Sequence, residues 1–178
     1  MISEEMATRI NAQINREMYS AHFYLGLSAQ AEGMNLKGVA AWFFAKYGEE
    51  LTHAMKMYRY LIDQDAPVRL GEVAAPATVE TEVLKMFEST LAHERAVTAA
   101  INDIVDFALS QKDHATHIFF QWFVTEQIEE EATVKDILGR VRLFGDQGQS
   151  LLMIDNELAN IAKQMGSAAG TASPKSTA

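Results

Sequence analysis

The sequence has no cysteine, only three prolines among its 178 residues and no long apolar run. Without cysteine there are no disulfides, thiolate metal ligands or cysteine nucleophiles, so carboxylates, histidines and tyrosines must carry any chemistry. The longest uninterrupted apolar run is the seven residues of VAAWFFA, whereas a membrane-spanning helix needs about 18 or more. The start, MISEEM, has neither the basic nor the apolar region of an export signal. We therefore expect a cytoplasmic protein with no membrane partner.

Positive charge is also scarce. Fifteen lysines and arginines stand against 24 acidic residues, which gives a net charge of −9. This balance argues against nucleic acid as a partner and favours cations. The length and the 48% hydrophobic content fit one globular domain with a substantial core.

The few prolines leave long stretches free to form helices. Two of the three prolines fall within one segment, QDAPVRLGEVAAPAT, which reads as a linker. Periodicity and capping signals predict four long helices, over about 3–32, 36–63, 79–110 and 115–144, and a short fifth helix over about 150–165. The last residues, GSAAGTASPKSTA, are small and polar. We therefore expect one domain over residues 1–166 and a disordered tail over 167–178.

Connection lengths predict the topology. A few residues join the first helix to the second and the third to the fourth, so each of these pairs should be antiparallel. The linker of about 15 residues between the second and third helices can reach roughly 50 Å, the full length of such helices. The sequence therefore predicts an all-α, four-helix bundle with one long crossover and a short fifth C-terminal helix.

Each long helix has a polar interruption in its apolar stripe. A bundle helix buries residues spaced i, i+3, i+4 and i+7, so charges on that stripe are informative. The interruptions are Glu17 in the first helix, Glu50 and His53 in the second, Glu94 in the third, and Gln127 and Glu130 in the fourth. The four glutamates lie about 14 or 15 residues into their helices, so their side chains should converge at mid-bundle. The predicted stripes contain no lysine or arginine at this height.

Four buried, unpaired carboxylates are unfavourable, because each desolvated ion costs several kcal/mol. A pair of bound divalent cations would remove that cost. Oxygen ligands with one imidazole suit iron or manganese, with zinc as a competitor. A single glutamate on a stripe is more often a phase error, and a single histidine is more often a satisfied core residue. Coincidence on four helices at one height favours the metal site.

Two motifs carry a family resemblance. YGEELTH supplies Glu50-x-x-His53, and FVTEQIEEEATV supplies Gln127-x-x-Glu130 in the fourth helix. The ferritin-like di-iron pattern is a glutamate from two helices and Glu-x-x-His from the other two. Over about residues 1–165 the sequence resembles the non-haem bacterial ferritins. The Gln-x-x-Glu motif in place of the second Glu-x-x-His is part of that resemblance.

The resemblance implies three iron sites. One iron would take Glu17, Glu50 and His53, and the second would take Glu94 and Glu130, with Glu50 bridging the two and Gln127 as a weak or supporting partner. The residues matching a third iron site are Glu49, Glu126, Glu129 and Glu130. Glu131 falls outside these sets and is interpreted as a surface charge.

The predicted bundle helices also carry Tyr24, Trp42 and Trp122. The resemblance implies that Tyr24 supplies electrons during oxygen reduction, and the alternative is a core tyrosine with a satisfied hydroxyl. Trp122 has the same two interpretations. Trp42 is interpreted as packing.

The resemblance implies a ferroxidase and iron store. Two Fe(II) ions would be oxidised by dioxygen, and Fe(III) would be deposited as hydrated ferric oxide inside a homo-24-mer. The apolar face of the fifth helix would pack against symmetry mates. That face comprises Leu151, Ile154, Leu158, Ile161 and Met165. Haem is not expected, because haem-binding relatives carry a methionine where this chain has Thr52.

Two other functions compete with this one. The first is a rubrerythrin-type di-iron enzyme that reduces peroxide without storing mineral. The absence of cysteine and of a second Glu-x-x-His argues against it. The second is a structural cage without an oxidation centre, against which the complete set of Glu17, Glu50, His53 and Glu94 argues.

Overall fold

The computed structural model describes residues 2–76, 80–145 and 148–171, without the side chains of 166–171. These residues form five helices and no strand. They are α1 (Glu4–Gly33), α2 (Lys37–Asp63), α3 (Val83–Ser110), α4 (His114–Phe144) and α5 (Gly148–Thr171). Ser3 caps α1, as predicted, by accepting a hydrogen bond from the Met6 amide at 3.1 Å. The predicted all-α, four-helix bundle with a fifth helix is confirmed.

Two helix ends differ from the prediction. Helix α3 begins at Val83 rather than at 79, because the preceding segment is held extended: the Glu80 amide donates to Gln30 Oε1 of α1 at 2.6 Å. Helix α5 continues to Thr171, so the predicted helix end at about 165 is wrong. Each of the two glycines in this stretch, Gly166 and Gly170, costs a helix only about 1 kcal/mol, which is not enough to end it. Residues 172–178 of the predicted tail lie outside the described residues.

The crossover between α2 and α3 runs along the outside of α1. The Asn11 side chain donates to the Pro67 carbonyl at 2.9 Å and accepts from the Arg69 amide at 2.6 Å. One helical turn further, Asn15 Oδ1 accepts from the Gly71 amide at 3.0 Å. The segment therefore travels from the start of α1 toward its end. It makes α2 and α3 parallel, as predicted.

The apolar interior is divided into two clusters, and all four long helices contribute to both. The upper cluster includes Ile10 and Ile14 of α1, Met57 and Leu61 of α2, Ile101 of α3, and Phe120 and Phe123 of α4. The lower cluster includes Tyr24 and Leu27 of α1, Trp42 and Phe43 of α2, Phe87 of α3, Leu138 of α4, and Ile154 and Leu158 of α5. Between them lies a polar layer that we call the waist.

Helix α5 docks on the start of α2. Leu36 does not cap α2 with a side-chain hydrogen bond. Instead, Asp155 Oδ1 accepts from the Gly38 and Val39 amides at 2.8 and 2.9 Å. A Cβ on Gly38 would lie 1.7 Å from the Asp155 carbonyl oxygen, so only glycine allows this approach.

The prediction that the apolar face of α5 packs against symmetry mates is therefore wrong. Ile154 and Leu158 are buried in the lower cluster of their own chain, and Leu151, Ile161 and Met165 pack against that cluster. The large hydrophobic side chains of α5 that are left exposed are Leu152 and Met153.

Candidate metal centre

The waist is formed by polar side chains that are almost completely buried. Their exposed fractions range from 1% to 6%. The residues are Glu17, Glu50, His53, Glu94, Gln127 and Glu130. They lie at the height at which the sequence placed them, because each comes from the stretch of helix between the two apolar clusters.

Three of these residues converge as a set of metal-ligand atoms. One donor atom each from Glu17, Glu50 and His53 lies within 4.8 Å of the other two. Gln13 donates to Glu17 Oε1 at 2.7 Å, whereas Glu17 Oε2 is buried and has no hydrogen-bond partner among the described residues. A buried oxygen without a donor is unfavourable, and a cation would satisfy it. The donor set of two carboxylates and one imidazole fits iron.

The charges in this set act on one another. Burial, reinforced by the Glu50 carboxylate, raises the pKa of Glu17 well above 4.5. Burial would also raise the pKa of Glu50, but the neighbouring His53 and Lys46 outweigh it and lower that pKa. Burial disfavours the charged His53 ring, yet Glu50, whose Oε2 lies 3.6 Å from His53 Nδ1, raises its pKa above 6.5. Without metal, Glu17 and His53 therefore retain their protons more readily than usual, whereas Glu50 loses its proton more readily.

Glu94 is held by two side chains from other helices. The Tyr24 hydroxyl donates to Glu94 Oε1, and Gln127 Nε2 donates to Glu94 Oε2 at 3.0 Å. Burial and the charge of Glu50 nevertheless raise the pKa of Glu94. Tyr24 therefore has the satisfied hydroxyl of a core tyrosine, and its partner is a carboxylate of the waist. Gln127 supports the Glu94 carboxylate through this hydrogen bond.

The prediction that the stripes carry no lysine or arginine at this height is wrong. Lys46, four residues before Glu50, is only 2% exposed. Its ammonium donates to Glu130 Oε1 and, at 2.6 Å, to Glu49 Oε2. The predicted apolar stripe of α2 passes through Tyr47. In the structure Tyr47 is half-buried, and the neighbouring Lys46 takes the interior position. Burial and the charges of Glu49 and Glu94 raise the pKa of Glu130 to about 7, although Lys46 opposes the shift.

A second set of donor atoms lies beside the first. Atoms from Glu49, His53 and Glu126 lie within 4.8 Å of one another, and both glutamates are half-buried. Glu129, expected to join them, is exposed on α4. Burial raises the pKa of Glu126, and Glu129 and Glu49 add to the shift. Of the residues that the resemblance assigns to a third site, the structure therefore brings Glu49 and Glu126 together with His53 and leaves Glu129 outside the group.

The remaining assigned residues have clear surroundings. Glu131 accepts from Thr98 at 2.9 Å and from Lys135 at 2.7 Å, which fits a paired charge near the surface. Trp42 is fully buried in the lower cluster, as expected for packing. Trp122 is 37% exposed and its ring meets His53 edge to face at 5.4 Å.

Sequence reasoning missed Lys46 and Gln13. Gln13 precedes Glu17 by four residues, the spacing that lets an amide reach a carboxylate on one helix face, so its role had a readable signal. Lys46 had the same spacing to Glu50. It was missed because a lysine is seldom buried without a partner, and its main partner, Glu130, lies on another helix.

Residues 7–144 match the family described as the Ferritin-like domain. The chain belongs to the ferritin family. The bacterial non-haem ferritin of Campylobacter jejuni is 40% identical over 162 residues, which are 91% of this chain and 97% of that protein. The bacterial non-haem ferritin of Escherichia coli O157:H7 is 34% identical over 164 residues, covering 92% and 99% of the two chains.

Solved ferritin structures share the fold. An open-pore ferritin from the hyperthermophilic archaeon Archaeoglobus fulgidus superposes with a TM-score of 0.88 at 40% identity, covering 89% of this chain and 98% of that one. None of the helices in the described part of this ferritin is long and apolar enough to cross a membrane.

Proposed function

We propose that this ferritin stores iron and is a ferroxidase that oxidises Fe(II) with dioxygen at the waist. It deposits the Fe(III) as hydrated ferric oxide inside a shell of 24 chains. The observation that carries the proposal is the convergence of Glu17, Glu50 and His53 within 4.8 Å, inside the bundle of a ferritin-family chain. Carboxylates and one imidazole bind Fe(II), and hard oxygen ligands favour the Fe(III) product.

The proposal assigns two sites to the oxidation step. The first Fe(II) binds Glu17, Glu50 and His53. The second binds Glu94 and Glu130, with Glu50 shared between the two ions. Gln127 keeps the Glu94 carboxylate oriented through its 3.0 Å hydrogen bond. Binding releases the protons that burial retains on Glu17 and Glu94, since metal ligation requires the ionised carboxylates.

The electron count gives roles to further residues. Two Fe(II) ions supply two electrons, which reduce dioxygen to the level of hydrogen peroxide. Reduction to water takes two more electrons, one from a third Fe(II) and one from Tyr24. The glutamates proposed for a third iron ion are Glu49, Glu126, Glu129 and Glu130. Tyr24 is proposed as an electron donor because its hydroxyl bonds directly to Glu94, a proposed ligand.

Size-exclusion chromatography and aerobic Fe(II) addition test the proposal together. Twenty-four chains of 19.8 kDa form a particle of about 475 kDa. Wild type is expected to elute at that size and to show a rapid oxidation phase, followed by slower mineral growth. His53→Ala combined with Glu94→Ala should remove the rapid phase and leave the particle intact.

Glu131→Gln is the matched control, because it neutralises a glutamate of α4 that is paired with Lys135 instead of facing the metal site. It should keep the rapid phase. An unchanged rapid phase in the double variant would refute the site assignment. A small particle that consumes peroxide without forming mineral would instead favour a rubrerythrin-type activity.

A further inference from the structure

Lys46 is the feature of the waist that the proposed function does not use. Lysine is seldom buried unless it is paired, and Lys46 is 2% exposed. Its ammonium bonds to Glu130 Oε1 from α4 and to Glu49 Oε2 from its own helix. Both glutamates are proposed iron ligands. The Lys46 ammonium therefore occupies carboxylate oxygens that the proposed iron ions would need as ligands.

The two halves of the centre differ in this respect. In the first half, Glu17 Oε2 is buried without a hydrogen-bond partner among the described residues, and the donor atoms of Glu17, Glu50 and His53 already converge. In the second half, Glu130 already has a buried cationic partner. A metal ion entering the first half finds ligands with a free oxygen. A metal ion entering the second half finds the Glu130 carboxylate already paired with the Lys46 ammonium.

We propose that Lys46 is a positioning residue that competes with the second metal ion for Glu130 and so sets the order in which the centre fills. This inference rests on the proposed function. The first ion binds Glu17, Glu50 and His53 without displacing any side chain. The second ion binds only when the Lys46 ammonium leaves Glu130.

The geometry provides a place for the displaced ammonium. Glu49 lies three residues after Lys46 on α2, and Lys46 Nζ is already 2.6 Å from its Oε2. Lys46 can therefore give up Glu130 and stay paired, so displacement does not leave a buried charge without a partner.

Anaerobic titration with Co(II) tests this without any redox step, because cobalt reports its ligand field by visible absorption. Wild type should show a tight first binding event and a weaker second one. Lys46→Met keeps the length of the side chain and removes its charge. It should tighten the second event roughly tenfold or more, the effect expected from losing a competing charged hydrogen bond, and leave the first within about twofold.

Lys135→Met is the matched control. It removes the same charge from a lysine whose partner, Glu131, lies outside the centre, so both binding events should keep their wild-type strength. A second event in Lys46→Met that is unchanged or weaker would overturn the inference.

A crystal structure of Co(II)-loaded wild type supplies a test that needs no variant, in case Lys46→Met fails to fold. With two ions bound, Glu130 should contact the second ion, and Lys46 Nζ should bond to Glu49 alone. Two bound ions with Lys46 still on Glu130 would overturn the inference and leave the proposed function standing. Wild type that binds no Co(II) would overturn both.

Discussion

The Tyr24 hydroxyl donates a hydrogen bond to Glu94 Oε1 across the bundle, from α1 to α3. Tyr24 is fully buried, and its ring packs in the lower apolar cluster while its hydroxyl reaches the waist. The bond therefore couples a carboxylate proposed to bind iron to a redox-capable ring. Burial and the charge of Glu94 raise the pKa of Tyr24 well above 10, so the hydroxyl remains a donor at neutral pH.

Tyr24→Phe is expected to destabilise the metal-free protein by about 2 kcal/mol, the usual worth of a hydrogen bond to a charged group. Urea unfolding in the presence of a chelator measures this loss. If Tyr24 supplies an electron, the variant should also release more hydrogen peroxide per iron oxidised. Tyr60→Phe is the control, since it removes a hydroxyl that bonds to Thr116 in the upper cluster, at 2.8 Å. Equal peroxide yields from both variants and wild type would exclude electron supply by Tyr24.

Gly38→Ala should destabilise the protein by at least about 2 kcal/mol and loosen α5 from the bundle. The added Cβ would meet the backbone of Asp155 at 1.7 Å, and neither helix can move without breaking the two hydrogen bonds that cap α2. Thermal unfolding followed by circular dichroism measures the loss. In contrast, Gly139→Ala in α4 adds a Cβ with nothing within 4 Å, and should stabilise by up to about 1 kcal/mol. Similar unfolding temperatures for the two variants would contradict the close approach of α2 and α5.

Glu130 should make the metal-free protein less stable as the pH rises from 4.5 to about 7. The pKa of its carboxyl is raised from 4.5 to about 7 by burial and by Glu49 and Glu94. The folded state therefore holds this proton more tightly than the unfolded chain. The stability it contributes is complete below pH 4.5 and is lost as the pH approaches 7.

Denaturation of wild type and Glu130→Gln, in chelator and at several pH values, isolates this contribution. Relative to wild type, Glu130→Gln should gain stability across that window, by up to roughly 3 kcal/mol. Glu131→Gln should show no such trend between pH 4.5 and 7, because hydrogen bonding to Lys135 lowers the pKa of Glu131 and the stability this adds to wild type is already complete above pH 4.5. A difference between wild type and Glu130→Gln that stays constant with pH would show that the carboxyl is not perturbed.

Asn11→Ala should free the start of the crossover from α1. The Asn11 side chain bonds to backbone groups of Pro67 and Arg69, so hydrogen exchange at the Arg69 amide should accelerate by roughly tenfold, equivalent to about 1.4 kcal/mol. Mass spectrometry of crossover peptides measures the rate. Asn102→Ala, an exposed position on α3, should leave the rate unchanged. Unaltered exchange in Asn11→Ala would mean that the crossover is held by other contacts.

The topology and the height of the waist were predictable because both depend on spacing along the chain. Glu17, Glu50, Glu94 and Glu130 each lie near the middle of a periodic helix, and the crossover has the length of that helix. The docking of α5 was not predictable, because Asp155 bonds to backbone amides of α2 and backbone groups leave no trace in side-chain patterns. The burial of Lys46 was not predicted, because its position on α2 is equally consistent with the edge of the apolar stripe.

The position of Glu129 shows a different limit. The resemblance to ferritins grouped it with Glu49, Glu126 and Glu130, but consecutive helical residues point about 100° apart, so Glu129 cannot face the waist where its neighbour Glu130 does. In this structure Glu130 faces inward, Glu131 pairs with Lys135, and Glu129 is exposed.

The division of the apolar interior into two clusters has a mechanical consequence. The same four helices run through both clusters, but the polar waist lies between them. The apolar contacts of the upper cluster therefore do not reinforce those of the lower cluster. In the metal-free protein, the waist contains carboxylates that repel one another, and the Lys46 ammonium is paired with one of them, Glu130. Metal ions bound there would cross-link the four helices at mid-length, so iron binding would also make the bundle more rigid.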